Sequence, residues 1–468
     1  MGTILKDEDL KHIHQNSVEI LEDIGVRVDN NSVLQRLADY GCSVDFHKNV
    51  AKIPEDLVKK CLSLCPTTIR IGNRDWETIE LGSNMGNIFW SGNALYIVEG
   101  KERYEITKER FIQLIKVYDG LSNVNGVVGV SLCDVPPLLR DIVGFRLIGE
   151  HTRKHIRPCI FCAENAEGIR NMSEVLLNGR KYEEYPIYSL GYSICTPLHW
   201  TDIALKLFIS TAGNSIPVTI NSECMLGGSS PVTLAGGINL GNAEVLSGVV
   251  INQLFEEGRP VIYNLGFSHV LDMRTSVALT GCPECGLIAA AGADLARYYK
   301  LPSAAWMSTD SLFADNQAGY EHMMLALAFI SAGINIIWGV GQVEAQLSLS
   351  REQAVIDNDI ISYVKRYWRG IEVNSETLAL DIIKKIGIGG EFLSLEHTLH
   401  NFKKELSFSE IAWRNRREAF EKSGGFSIEE RAAKCANEMI EKEKTYISDE
   451  QKKELDLIEK SYLKKYGY

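Results

Sequence analysis

Apolar positions fall along this chain in two periods. Short β-branched runs cover Val124–Leu132, Ile156–Cys162, Ile187–Tyr192, Pro217–Asn221, Pro260–Gly266, Ser303–Met307 and Ile334–Val340. Alanine- and leucine-rich stretches with helical spacing lie between the later runs, at Asp202–Thr211, Ala243–Phe255, Glu284–Tyr298 and Gln317–Ser331. The runs start roughly 30 to 45 residues apart, the length of a strand plus its crossover helix. Such alternation calls for a parallel sheet with helices outside it. Seven units on a regular beat predict a (β/α)8 TIM barrel, an α/β fold, rather than a doubly wound sheet, with one strand left unplaced. The expected division is an N-terminal α+β extension over 1–115, the barrel over 116–400 and a charged helical C-terminal tail over 401–468. The extension carries an amphipathic helix at Leu10–Ile24 and a strand at Thr68–Gly72, and the tail embeds Trp413 and Phe420.

The last run belongs to GINIIWGVGQVEAQLSLSREQ, Gly333 to Gln353. Asp315 and Asn316 cap the helix before it and Gly333 supplies that helix's exit. Ser350 opens the next helix, with Gln353 spaced as a capping-box partner. Gly339–Leu349 is thereby predicted as a loop at a strand's carboxyl end, the face on which parallel barrels bind ligands. Other strand ends also carry aromatics: Tyr192, Tyr263 with Phe267, Trp306, and Trp338. Converging, these rings form a cage with little formal charge, which suits a quaternary ammonium that has no N–H to donate. The same rings serve equally well as filling for barrel layers.

Composition narrows the function classes. The 468 residues are 45% hydrophobic and 24% charged, as in an ordinary folded domain. A net charge of -12 without a basic stripe argues against nucleic acid and anionic membrane as partners. The start, MGTILKDEDLKHIH, has no cationic segment followed by an apolar one, and 11 cysteines suit reduced thiols, so the expected location is the cytoplasm. The pairs Cys159/Cys162 and Cys282/Cys285 are each C-x-x-C but lie outside zinc-ribbon spacing, and Glu396, His397 and His400 in EHTLH lack a further strong ligand, so no metal is expected. Gly227-Gly228, Gly236-Gly237 and Gly389-Gly390 belong to neither a G-x-G-x-x-G nor a P-loop and are read as places where backbone approaches a bulky ligand. No G-x-S-x-G elbow occurs, and no catalytic nucleophile or base is assigned.

Four long phrases resemble the trimethylamine methyltransferase superfamily: Pro231–Leu254, Asp272–Ser303, Thr309–Glu321 and Gly389–Phe402. ILEDIGVRVDN and DVPP, Asp134 to Pro137, fit it as well. The resemblance implies a (β/α)8 barrel that moves a methyl group from an amine to the Co(I) of a corrinoid carried by a cognate partner protein. Its trimethylamine enzymes hold pyrrolysine in a loop matching Gln342–Gln346, where every letter here is standard. That departure is similar to the branch without pyrrolysine, whose substrates are quaternary amines such as glycine betaine, proline betaine, carnitine or γ-butyrobetaine. Glycine betaine, giving dimethylglycine, is the leading expectation. A quaternary nitrogen leaves as a neutral tertiary amine without proton transfer, so the enzyme's task is to desolvate the cation and aim one methyl, and no general acid is required. A betaine carboxylate is expected on Arg274 or on the loop around Gln342 and Gln346, and the cation near Glu223 and Asp310. A homo-oligomer is expected. Competing readings are a non-catalytic quaternary-amine binder and a zinc methyltransferase using Cys282 and Cys285.

Overall fold

The computed structural model describes residues 2–82 and 85–468. Eight short strands form one parallel sheet: β1 (Ile88–Ser91), β2 (Val124–Val128), β3 (His155–Arg157), β4 (Leu190–Ser193), β5 (Val218–Asn221), β6 (Val261–Gly266), β7 (Ser303–Trp306) and β8 (Ile336–Val340). Each pairs with its chain neighbour, and β8 returns to β1 with Ile336 opposite Ile88. The remaining seam, between β3 and β4, closes through the Ile156–Tyr188 bridge, where the Ile156 N–H donates to Ile187 at 2.9 Å and the Ser189 N–H to Ile156 at 3.2 Å. The sheet is a closed barrel.

Eight helices follow the strands: α1 (Lys108–Gly120), α2 (Arg140–His151), α3 (Ala166–Leu177), α4 (Asp202–Thr211), α5 (Leu234–Phe255), α6 (Pro283–Tyr298), α7 (Asn316–Ala332) and α8 (Arg351–Trp368). The strand without a place in the sequence pattern is β1, and it falls inside the segment expected as an extension. IFWS is only four residues long and is followed by a hairpin, Tyr96–Glu99 with Glu102–Glu105, rather than directly by its helix, so it keeps no 30-residue beat.

Sheet parity divides the core. One set of side chains, including Ile88, Trp90, Val128, Ile262, Ala304, Trp306, Ile336 and Trp338, fills the barrel, while their neighbours Phe89, Val127, Ile156, Tyr192, Tyr263 and Ile337 face the helices. Successive residues of a strand point to opposite faces, and both faces here are buried. The amino end of the barrel is plugged by the antiparallel hairpin Thr68–Gly72 and Thr78–Gly82, whose Ile69, Ile71 and Leu81 join the interior cluster.

Among the described residues α5 is the one helix long and apolar enough to cross a membrane. It is a core helix, because the helices Asp7–Glu19 and Glu55–Leu64 of the N-terminal segment cover the face that the barrel leaves open. The predicted caps of α7 form, with Asp315 accepting from the Ala318 N–H at 3.0 Å and Gly333 left-handed at φ 75°. Ser350 caps α8 through the Gln353 N–H, but Gln353 sends its amide to Asp357 instead of back to Ser350, so the capping box is half made.

Candidate functional site

A cavity of about 330 Å³ opens at the carboxyl end of the barrel. Every strand end contributes to it, from Asn93 after β1 and Val128 on β2 round to Trp338 on β8 and Gln346 beyond it. Its floor is a pile of rings, Trp338 on Trp90 at 5.6 Å and Trp90 on His155 at 5.1 Å, interplanar angles 18° and 17°. His155 has both ring nitrogens engaged, with the Gly72 carbonyl and the Ser189 hydroxyl, and burial lowers its pKa to about 4. The floor is uncharged.

Register makes the aromatic wall. Trp306 and Trp338 are paired across β7 and β8, so their indoles stand side by side, centroids 5.5 Å apart, and Phe267 leans on both at 4.6 and 5.0 Å. Rings this close leave no slot between them. They form one wall rather than a box, and a cation can meet only their outer faces. Gln342 fixes the wall: its Oε1 accepts from Trp306 Nε1 at 2.5 Å while its amide nitrogen donates to the Asn93 and Gln346 carbonyls at 2.7 and 2.9 Å. Gly339, at φ 107°, lets the chain turn past β7, because a Cβ there would overlap the Met307 carbonyl oxygen. Asp357 then anchors the turn by accepting from the Gly341 N–H at 2.7 Å, itself held by His322 at 2.6 Å. Glu344, Ala345 and Gln346 follow at φ 57°, 46° and 73°, three consecutive non-glycine residues in the left-handed region. Such strain persists where surroundings hold it, here the Glu344 and Ala345 N–H groups bonded to Ser311 and Thr309.

Two charges face the same cavity. Arg157, at the end of β3, is 9% exposed; one guanidinium nitrogen donates to the Pro158 carbonyl at 2.7 Å, its Nε has no partner, and its head lies 5.6 Å over the Trp338 ring. Gly191 makes its berth, since a Cβ at that position would overlap the guanidinium. Among the described residues Arg157 has no ion-pair partner, and burial pulls its pKa down. A cation in that state is short of an anion. Glu223, after β5, opens onto the cavity lumen yet is enclosed by the barrel mouth, and desolvation raises its pKa against a hydrogen bond from Ser193. Cys159 also lines the cavity, where burial pushes its thiol up and keeps it protonated.

The expected site residues divide. Phe267, Trp306, Trp338, Glu223 and Gln346 come together around the cavity, and Gln342 braces them from behind. Four do not. Tyr192 faces the helices, its hydroxyl 2.5 Å from Thr211 and its ring on Phe208 at 4.5 Å. Tyr263 has the same parity and donates to Asn242 at 2.8 Å. Arg274 has a side chain 87% exposed and pairs with Asp272. Asp310 accepts from the Thr280 and Gly281 N–H groups at 2.7 and 3.2 Å and so fastens a loop. The paired glycines are absent from the cavity lining too; Gly237, for one, makes room for Leu226 inside the fold. Sequence reading missed Arg157 and His269. Arg157 ends β3 and His269 lies three residues past β6, neither in a motif, and only the inward parity of β3 could have marked the arginine. Cys282 and Cys285 lie 3.4 Å apart at the start of α6, and among the described residues no group of three or more metal-type ligands forms around them or elsewhere.

A sequence profile of the family described as trimethylamine methyltransferase (MTTB) matches residues 2–461. The trimethylamine methyltransferase MttB of Methanosarcina barkeri strain Fusaro is 36% identical over 408 residues, 84% of this chain and 81% of that protein. The chain belongs to the trimethylamine methyltransferase family. Within the family, the glycine betaine methyltransferase of Desulfitobacterium hafniense strain Y51 is 29% identical over 412 residues, 86% of this chain and 85% of its own. The crystal structure of the Methanosarcina barkeri monomethylamine methyltransferase superposes with a TM-score of 0.52 at 13% identity, over 97% of this chain and 93% of that one, a likeness of fold. The trimethylamine methyltransferase family thus accounts for the barrel and for methyl transfer as the class of reaction. Among the described residues, the cavity at the barrel's carboxyl end gathers an aromatic wall, a carboxylate and a guanidinium without an ion-pair partner.

Proposed function

We propose that this protein moves a methyl group from a zwitterionic quaternary amine, with glycine betaine the first choice, to the Co(I) corrinoid of a cognate partner protein. The observation that carries the reading is Arg157, a buried guanidinium that has no acidic partner among the described residues and shares its cavity with an aromatic wall. A betaine is the complement of that pair: its carboxylate meets the guanidinium, and its trimethylammonium meets the faces of Trp306 and Phe267 near Glu223. Proline betaine, carnitine and γ-butyrobetaine present the same two ends. A simple methylamine leaves Arg157 unmatched. The standard residues at Gln342–Gln346 agree with a substrate that needs no activation.

In this reading the corrinoid supplies the nucleophile, and the protein's residues do the rest. Arg157 and the wall strip water from the substrate and hold it so that one N-methyl points out of the barrel mouth. The C–N bond breaks with its electron pair staying on nitrogen, which leaves as a neutral tertiary amine. No protein group has to deliver a proton, because the departing amine is already neutral when the bond breaks. Mixing the protein with Co(I) cobalamin, or a corrinoid protein, and each amine in turn tests this. The expected result is loss of the Co(I) absorption with a betaine and none with trimethylamine. Reaction with trimethylamine alone refutes the substrate, and betaine binding without any transfer leaves a carrier.

Glu223 makes the binding pH-dependent. Its pKa is raised above the ordinary carboxylate value, so lowering the pH from neutral protonates it earlier than a free glutamate, removing charge that attracts the ammonium. KM for the betaine is expected to rise on the acid side, and Glu223→Gln to flatten that limb while holding KM at the acid-side value. A KM profile between about pH 5 and 8 in both proteins checks it; an unchanged limb in Glu223→Gln assigns the titration elsewhere.

A further inference from the structure

Cys282 and Cys285 take no part in the methyl transfer proposed above. Cys282 is the N-cap of α6, Pro283 is that helix's first residue, and Cys285 follows on the same face, so the two thiols meet with their Sγ atoms 3.4 Å apart. Both are free thiols, within reach of a bond after rotation about their Cα–Cβ bonds. Their surroundings differ. Cys282 is half-buried beside the exposed Pro283 and Glu284, and Cys285 is buried. The hydrogen bond from Cys285 holds the Cys282 thiol below its ordinary pKa against the effect of burial, while the same contact and burial raise that of Cys285. An accessible thiol with thiolate character next to a buried, protonated one is the pairing of an attacking and a resolving cysteine. The chain's other C-x-x-C gives the contrast: Cys159 donates to the Gly129 carbonyl at 3.1 Å and Cys162 to Glu164 at 3.0 Å, so those thiols turn to different partners.

We propose that Cys282 and Cys285 are a redox-active dithiol that exchanges with low-molecular-weight disulfides and, once oxidised, loosens one wall of the barrel-mouth cavity. The Cys282 thiolate attacks one sulfur of the small disulfide, forming a mixed disulfide and releasing one small thiolate. Cys285 then gives up its proton and attacks Cys282 Sγ, and the second small thiolate leaves. Two protein thiols and one small disulfide become one protein disulfide and two small thiols, both electrons passing to the small molecule.

The wall in question is the hairpin between β6 and α6. Its strands, His269–Asp272 and Val277–Leu279, pair Val270 with Leu279, and His269 lines the cavity. Cys285 Sγ lies 3.4 Å from the Leu279 carbonyl oxygen as well as from Cys282, so its one proton serves both contacts and a disulfide removes it from both. Just beyond Leu279 the Thr280 and Gly281 N–H groups are held by Asp310. The carbonyls flanking Asp310, those of Thr309 and Ser311, accept from the Ala345 and Glu344 N–H groups of the turn that presents Gln346 to the cavity. The dithiol therefore sits at the root of this wall. The hairpin tip, Met273–Val277, is exposed throughout, which leaves its stability resting on that root.

Incubating the reduced full chain with oxidised glutathione, blocking the remaining thiols and mapping peptides by mass reads the exchange without reference to methyl transfer. The wild type is expected to lose the Cys282 and Cys285 thiols together, as an intramolecular disulfide, ahead of the exposed Cys133 and Cys195, and dithiothreitol is expected to restore both. Cys285→Ser is expected to stop at a glutathione adduct on Cys282. Cys282→Ser is expected to give neither product, because Cys285 is buried. Hydrogen exchange of the wild type adds a measurement independent of any variant: oxidation is expected to speed the amides of 269–281 by about 2- to 10-fold, the worth of one hydrogen bond, and to leave the barrel strands unchanged. A dithiol that stays reduced while Cys133 or Cys195 reacts, a wild-type adduct on Cys282 that Cys285 does not resolve, or a hairpin that exchanges equally in both states overturns the proposal.

Discussion

Replacing Arg157 by methionine is expected to weaken glycine betaine binding about 10- to 100-fold, the equivalent of the roughly 1.5 to 3 kcal/mol carried by hydrogen bonds to a charged group. Choline, with the same trimethylammonium but no carboxylate, is expected to bind the variant about as well as the wild type. Methionine keeps an unbranched side chain against Trp338 and across from Gly191, so packing is largely retained while the charge is lost. Calorimetric titration of both ligands into both proteins separates the contributions. Equal losses for betaine and choline mean that Arg157 shapes the cavity without holding the carboxylate. A loss produced instead by Arg274→Met returns the anchor to the exposed Arg274–Asp272 pair.

Trp306→Leu removes one ring of the wall proposed to meet the ammonium and at the same time leaves Gln342 Oε1 without its donor. A cation over an indole contributes about 0.5 to 2 kcal/mol. Misorientation of the methyl adds to that, because an error of about 1 Å in placement can cost on the order of 100-fold in rate. Together these are expected to lower kcat/KM for a quaternary amine by roughly two to three orders of magnitude. Trp306→Phe restores a ring face but not the N–H, so it is expected to recover KM more than kcat. A Trp306→Leu enzyme with near wild-type kcat/KM and normal thermal stability places the ammonium elsewhere in the cavity.

Much of this protein is legible in its sequence. The β-branched runs from Val124 to Val340 land on seven of the eight barrel strands, and the helical stretches land on α4 to α7. The family phrases agree with a profile that matches residues 2–461. Phe267, Trp306, Trp338, Glu223 and Gln346 reach the cavity because each sits at or just beyond a strand's carboxyl end, and chain position alone reveals that.

Face was decided only by the tertiary structure. A strand sheltered by helices on one side and packed barrel on the other is apolar at every position, so its pattern does not say which parity points inward. Tyr192 and Tyr263 lie in the barrel strands just as Trp306 and Trp338 do, yet the first pair turns toward the helices and the second into the barrel. The same blindness hid Arg157, whose inward aim depends on β3 and on the missing side chain of Gly191 two elements away. What the sequence by itself determined is the period, hence the elements, their order and the family. The closure of β3 onto β4, the inward parity and the meeting of a guanidinium with a wall of rings come from contacts distant in sequence, which no local pattern encodes.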